Sequence, residues 1–135
     1  MKAIPQLQKF MTTVPFTIQS TQSVAEAAEL MKKEDIRHLP VLLDGEVIGL
    51  ISDRDIKLYQ GLRGVDLTKE IIGNVCIREP YTVSPAAALD VVCSEMAEKK
   101  YGCALVKDNG HLVGIFTWID ALRSMQSLFE TRLKG

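Results

Sequence analysis

The sequence predicts a mixed α+β protein built from two copies of one strand-helix-strand-strand-helix unit. First, a shift of 65 residues superimposes the two halves of the 135-residue chain without a gap, which indicates an internal repeat. Second, each half carries an amphipathic helical pattern followed by two apolar strands around a tight turn. At this length we expect one compact module, 1–135, with a first repeat at 9–62, a connector at 63–73 and a second repeat at 74–127.

The first helix of each repeat is predicted from apolar residues at intervals of three and four. These residues are Val24, Ala27, Ala28 and Met31 in the first half and Leu89, Val92, Cys93 and Met96 in the second. Short extended segments precede the helices at 16–18 and 81–83. Ser23 with Glu26 is a typical capping box for the first helix, and Ser84 with Pro85 suits the start of the second.

Two hairpins follow, "HLPVLLDGEVIGLI" in the first half and "CALVKDNGHLVGIF" in the second. Their turns are expected at Asp44 and Gly45 and at Asn109 and Gly110, since a type I′ turn needs positive φ at both central residues. One such unit leaves a face of its small sheet uncovered, so we expect the two repeats to pack together about a pseudo-twofold axis.

Each hairpin ends in a hydroxyl residue followed by an acid three positions later: "SDRD" at Ser52 and Asp55, and "TWID" at Thr117 and Asp120. One interpretation is a capping box that starts the final helix. The other is a ligand site, because a helix N-terminus offers unpaired N–H groups and favours phosphate. An ionised Asp only accepts hydrogen bonds, so it suits a vicinal diol. Both interpretations remain open at this point.

Composition excludes several classes of function. The net charge of −1, with scattered Lys and Arg, disfavours a nucleic-acid partner. No apolar run is long enough for a signal peptide or a membrane span, so we expect a cytoplasmic protein without a membrane partner. The three cysteines lack C-x-x-C spacing, which disfavours a disulfide framework and a metal site. A hydrolase using Asp53, Asp55 and His38 is disfavoured because no nucleophile motif accompanies them, so we expect no enzyme activity.

The repeat, the two hairpins and the paired endings together resemble a tandem pair of CBS domains, named after cystathionine β-synthase, over residues 9–125. The resemblance implies a non-catalytic regulatory or sensor module that binds an adenosine-containing ligand in a cleft between the repeats and reports it to an effector protein. AMP, ADP or ATP is the expected ligand; S-adenosylmethionine and a ligand-free dimerisation module are the alternatives. No cofactor is implied, and Mg²⁺ is expected only where it accompanies ATP.

The resemblance also assigns residues to two sites. The dominant site would comprise Arg37, His38, Ile51, Ser52, Asp55, Cys76, Tyr81 and Tyr101. The second would comprise Met11, Phe16, Ile36, Phe116, Thr117 and Asp120. Arg37 and His38 provide donors for phosphate, whereas the shifted positions Gly102 and Cys103 carry no charge. Only the first site therefore combines an apolar adenine slot with a basic phosphate end.

The last helix predicts self-association. Its segment "WIDALRSMQSLFETRLKG" continues beyond the point where Gly61 stops the equivalent helix of the first half. Ile119, Leu122, Met125 and Phe129 form an apolar stripe that a soluble monomer rarely leaves in water. We expect a homodimer through the helices including 118–129, since a twofold contact pairs identical surfaces. The alternative is a helix that folds back on its own core.

Overall fold

The computed structural model describes residues 3–62 and 64–133. The first half contains a 3₁₀ turn (Leu7–Lys9), β1 (Thr12–Thr13), β2 (Ile18–Gln19), α1 (Val24–Glu34), β3 (His38–Leu43), β4 (Glu46–Ser52) and α2 (Asp53–Gln60). The second half contains α3 (Ile72–Val75), β5 (Ile77–Arg78), β6 (Thr82–Val83), α4 (Leu89–Lys99), β7 (Cys103–Asp108), β8 (His111–Thr117), α5 (Trp118–Leu128) and a π-helical turn (Phe129–Leu133). The predicted α+β class and the repeated order of elements are confirmed.

The described chain divides into two compact units, each with its own four-stranded sheet. The first unit comprises residues 16–80, and its strands run in the order β2-β3-β4-β5. The second unit comprises 81–133 together with 3–15, in the order β1-β8-β7-β6. The segment 3–15 therefore completes the sheet of the second repeat, as β5 completes that of the first.

The same backbone contacts recur in both units, 65 residues apart. At the start of α1, the N–H of Val24 donates to the carbonyl of Glu70 at 2.8 Å. At the start of α4, the N–H of Leu89 donates to the carbonyl of Pro5 at 3.0 Å. Each helix thus has one of its otherwise unpaired N-terminal N–H groups satisfied by a backbone carbonyl that lies a few residues before the strand completing its sheet.

The two helix starts differ in their side-chain caps. Ser23 caps α1 as predicted, and its Oγ accepts from the N–H of Glu26 at 3.1 Å. The start predicted at Ser84 and Pro85 was wrong, because α4 begins only at Leu89. The Oγ of Ser84 accepts from the N–H of Ala86 at 3.1 Å, so it stabilises a turn before the helix rather than the helix itself.

Both hairpin turns have the backbone geometry that the sequence predicted. In the first, Asp44 and Gly45 have φ of 51° and 81°; in the second, Asn109 and Gly110 have φ of 51° and 79°. Each unit buries an apolar core between its sheet and its first helix. The first core comprises Ile18, Val24, Ala27, Met31, Leu39, Val41, Ile51, Ile56 and Ile72. The second comprises Leu7, Leu89, Val92, Met96, Ala104, Val106 and Phe116.

Candidate functional site

Ser52 and Asp55 lie where β4 meets α2, in the first unit. Ser52 ends the strand and caps the helix, and its Oγ accepts from the N–H of Asp55 at 3.1 Å. The same hydroxyl donates to Oδ2 of Asp55 at 2.8 Å. Among the described residues, no other side chain or N–H donates to this carboxylate. Asp55 itself is only partly buried.

Arg37 and His38 lie beside the same helix N-terminus. His38 pairs with Ser52 across β3 and β4, and the carbonyl of Arg37 accepts from the N–H of Asp53 at 2.8 Å. Burial is the main cause that lowers the pKa of His38 below 6.5. The negative charge of Asp55 opposes this shift, the positive charge of Arg37 adds to it, and the negative charge of Asp53 opposes it. The imidazole is therefore neutral at pH 7 and offers one N–H donor, whereas the guanidinium of Arg37 is exposed and charged.

The other predicted residues of the dominant site are divided between the units. Ile51 is buried in the first core, and Cys76 packs against that core. Tyr81 and Tyr101 belong to the second unit, where their rings stack with centroids 5.0 Å apart and planes inclined by 23°. The structure thus brings Arg37, His38, Ser52 and Asp55 together at one helix N-terminus, and the tyrosines' part in that site stays a prediction.

Asp120, the repeat equivalent of Asp55, is 7 % exposed and already bonded. Its Oδ2 accepts from the N–H of Thr117 at 2.9 Å and from the Thr117 hydroxyl at 3.2 Å, which with the return bond to Thr117 forms a capping box. Its Oδ1 accepts from the Oγ of Thr12 on β1 at 3.1 Å. Thr12 was not among the predicted site residues. The 65-residue shift aligns Thr12 with Ile77, so the sequence places a hydroxyl where the other copy has an apolar side chain. This difference was the signal that could have identified Thr12.

The remaining residues of the second predicted site are also divided. Phe116 is fully buried in the second core, against which Met11 packs, while Phe16 and Ile36 belong to the first unit. Cys103 stands at the position of His38, and burial raises the pKa of its thiol to about 12. Gly102 and Cys103 stand at the positions of Arg37 and His38, so these two positions offer neither a guanidinium nor an imidazole donor.

Two further observations concern residues 3–62 and 64–133. Within them, no group of three His, Cys, Asp or Glu side chains is placed to hold a metal ion. Nor does any helix in this part of the chain have the length and apolar character needed to cross a membrane.

Comparison with known proteins gives the family. A CBS domain model matches residues 7–61 and 72–127. The CBS domain-containing protein YhcV of Bacillus subtilis is 31 % identical over 105 residues, which cover 78 % of this chain and 74 % of YhcV. The structure of AcuB from Vibrio cholerae, described as an acetoin utilization protein, superimposes with a TM-score of 0.87 at 27 % identity, covering 98 % of both chains. The CBS domain pair of the protein MJ0100, in complex with 5′-methylthioadenosine and S-adenosyl-L-methionine, gives a TM-score of 0.83 at 26 % identity, covering 93 % of this chain and 98 % of that one.

CBS repeats also occur within enzymes. An inosine-5′-monophosphate dehydrogenase of Korarchaeum cryptofilum is 29 % identical over 97 % of this chain, but the chain spans only 26 % of that enzyme's length. Because the family model matches both repeats and the structure repeats their order of elements, this chain belongs to the CBS domain family.

Proposed function

We propose that this chain is a regulatory module that binds an adenosine-containing ligand, with the ribose diol at Asp55. The difference between the two equivalent carboxylates carries this proposal. Asp55 is half-buried and has one side-chain donor, whereas Asp120 is buried and has donors on both oxygens. A ribose diol needs a free acceptor on a carboxylate, and Asp55 provides it.

The surroundings of Asp55 favour AMP, ADP or ATP over S-adenosylmethionine. Arg37 and His38 lie beside the N-terminus of α2, where a negative charge is stabilised. A phosphate matches this end of the site, whereas the sulfonium and amino groups of S-adenosylmethionine are positively charged. Because MJ0100 is similar to this chain and its complex holds two adenosyl compounds, S-adenosylmethionine is the second candidate.

The proposed role is binding without chemical turnover. Ser52 spends its hydroxyl on the cap of α2 and on Asp55, so it is not held by a separate general base as an activated nucleophile is. A ligand regulates only by binding one state of a protein more tightly than another. An effector protein of this module would therefore distinguish the ligand-bound state from the free one.

Titration calorimetry with AMP, ADP, ATP, S-adenosylmethionine and 5′-methylthioadenosine tests the proposal. Asp55→Asn removes the charge from the contact with ribose and should weaken binding by about 1.5–3 kcal/mol, roughly ten- to a hundredfold. Asp53→Asn is the matched control, since it removes the same charge from the same helical turn. Chromatography of the samples should recover the nucleotide unchanged.

Three results would contradict the proposal: no binding of any of the five compounds, an equal loss in Asp53→Asn and Asp55→Asn, or product formed above a protein-free control. A loss confined to Asp120→Asn would move the ligand to the second carboxylate.

We also propose that a second copy of the chain covers an apolar face on α5. This face comprises Ile119, Leu122 and Met125 on α5 and Phe129 at the start of the π-helical turn that follows, each 45–55 % exposed. It continues into a groove of about 380 Å³ between α4, α5 and the N-terminal residues Ile4 and Pro5. The equivalent positions of Ile119, Leu122 and Met125 on α2 are Arg54, Lys57 and Gln60, so the apolar character is specific to the second repeat. A twofold pairing of α5 with α5 would cover both faces at once.

A further inference from the structure

We propose that Thr12 is a specificity-determining residue that closes the second site, so that the chain binds one adenosine-containing ligand rather than two. This inference rests on the proposed function, because it concerns the Asp120 equivalent of the Asp55 site. The Thr12 hydroxyl acts as an internal competitor that occupies the carboxylate oxygen which a ribose diol would need.

The contacts of Asp120 support this role. A vicinal diol donates two hydrogen bonds and is best held by a carboxylate with an accessible lone pair on each oxygen. At Asp120, Oδ2 accepts from Thr117, while Oδ1 accepts from Thr12 at 3.1 Å. The carboxylate is also buried, so little of it remains in contact with solvent. A ligand would have to break the bond to Thr12 before it could bind.

The first unit provides an internal comparison. On β5, Ile77 pairs with Leu50 of β4; on β1, Thr12 pairs with Ile115 of β8. These two pairs are related by the 65-residue shift, so the strand register is the same in both units. In place of the Thr12 hydroxyl, the first unit has the apolar side chain of Ile77, which is 50 % exposed. Asp55 consequently lacks the donor that occupies Asp120.

The two repeats also differ in the same direction at their phosphate ends. Asp55 has Arg37 and His38 nearby, while the equivalent positions near Asp120 hold Gly102 and Cys103. The Thr12 hydroxyl therefore occupies the carboxylate that would accept from the diol. It does so in a site that has neither the guanidinium nor the imidazole found in the first repeat. We infer that removing the hydroxyl opens the second site to the nucleoside part of the ligand rather than to its phosphate.

The test is the number of ligands bound per chain in equilibrium binding with AMP and with adenosine. Thr12→Val keeps the shape of the side chain and removes the donor, so adenosine bound per chain should rise from one to two. Thr13→Val is the matched control on the same strand and should stay at one. Dideoxyadenosine, which has no diol, should not occupy the additional site in Thr12→Val.

The reciprocal change tests the same idea in the other unit. Ile77→Thr places a hydroxyl at the matching register and should lower AMP affinity at Asp55 by tenfold or more. This test remains available where Thr12→Val fails to fold.

The outcomes separate this inference from the proposed function. Wild-type protein that binds neither AMP nor adenosine defeats the proposed function. Wild-type protein that binds one equivalent, with Thr12→Val also at one, defeats the inference alone. Two equivalents on the wild-type protein, or unchanged AMP affinity in Ile77→Thr, likewise overturns it.

Discussion

Replacing Leu122 and Met125 on α5 by Asp should convert a dimer into a monomer. Both side chains lie in the apolar face of α5, with Ile119 and Phe129 on either side, and about half of each of the four is exposed. In a twofold dimer each side chain is covered by the other copy. The substitutions place four carboxylates in that contact, where they are desolvated without partners.

The size of the effect follows from the exposed fractions. Fully burying a Leu, Ile, Met or Phe side chain stabilises by about 1.5–3 kcal/mol, so burying the exposed half contributes about 1 kcal/mol. Eight such side chains in a dimer therefore contribute about 8 kcal/mol of favourable burial. Removing four of them costs about 4 kcal/mol, which raises the Kd roughly a thousandfold even before the carboxylates are counted.

Light scattering across micromolar concentrations measures the outcome. The chain has a mass of 15.0 kDa, so the wild-type protein is expected at twice that value and the double variant at 15.0 kDa. Gln60→Asp is the control, because it places the same charge at the position of α2 that matches Met125. A wild-type mass of 15.0 kDa throughout, or a dimer that survives the double substitution, would refute the reasoning.

Two predictions concern stability. Gly49→Ala should lower the free energy of unfolding in urea by roughly 1–3 kcal/mol, because the new Cβ would lie 2.6 Å from the carbonyl oxygen of Ile77. Gly61→Ala is the control: the φ of Gly61 is −71°, which alanine adopts readily, so this change should be neutral or stabilising. Equal losses of stability in the two variants would contradict the close approach at Gly49. The pKa of His38 is lowered by burial, so below pH 6.5 the unfolded state binds more protons than the folded state. The contribution of His38 to the free energy of unfolding is thus complete above pH 6.5 and is lost as the pH falls through the folded-state pKa. His38→Gln should therefore make the free energy of unfolding depend less on pH in this range. Urea unfolding at several pH values measures this dependence, and an unchanged dependence in the variant would contradict the prediction.

The features that the sequence predicted correctly are local ones. The turns at Asn109 and Gly110 and at Asp44 and Gly45 depend on the conformation of two residues, and the amphipathic stripe of α1 depends on neighbouring turns of one helix. The repeat then extended each local assignment to the other half. The start of α4 was misplaced because Ser84 stabilises a turn as readily as a helix cap.

The features that the sequence did not predict depend on distant residues. The bond between Thr12 and Asp120 joins residues 108 positions apart, and no local pattern indicates it. The pairing of β1 with β8 likewise depends on where the segment 3–15 lies in the fold. The candidate site was partly predictable, since Ser52 and Asp55 belong to one helix start, whereas the hydrogen bond of Asp120 on α5 comes from Thr12 on the distant strand β1.

The placement of residues 3–15 in the second unit has a consequence for biosynthesis. The first unit is continuous in sequence, so its four strands are all available once β5 has been made. In contrast, β1 leaves the ribosome early but pairs with β8 at Ile115, roughly a hundred residues later. At about 5–20 residues per second, this segment waits for several seconds while all four strands of the first unit have already been made. Its strand consists of two threonines, and so short and polar a strand is a poor template for aggregation during the wait.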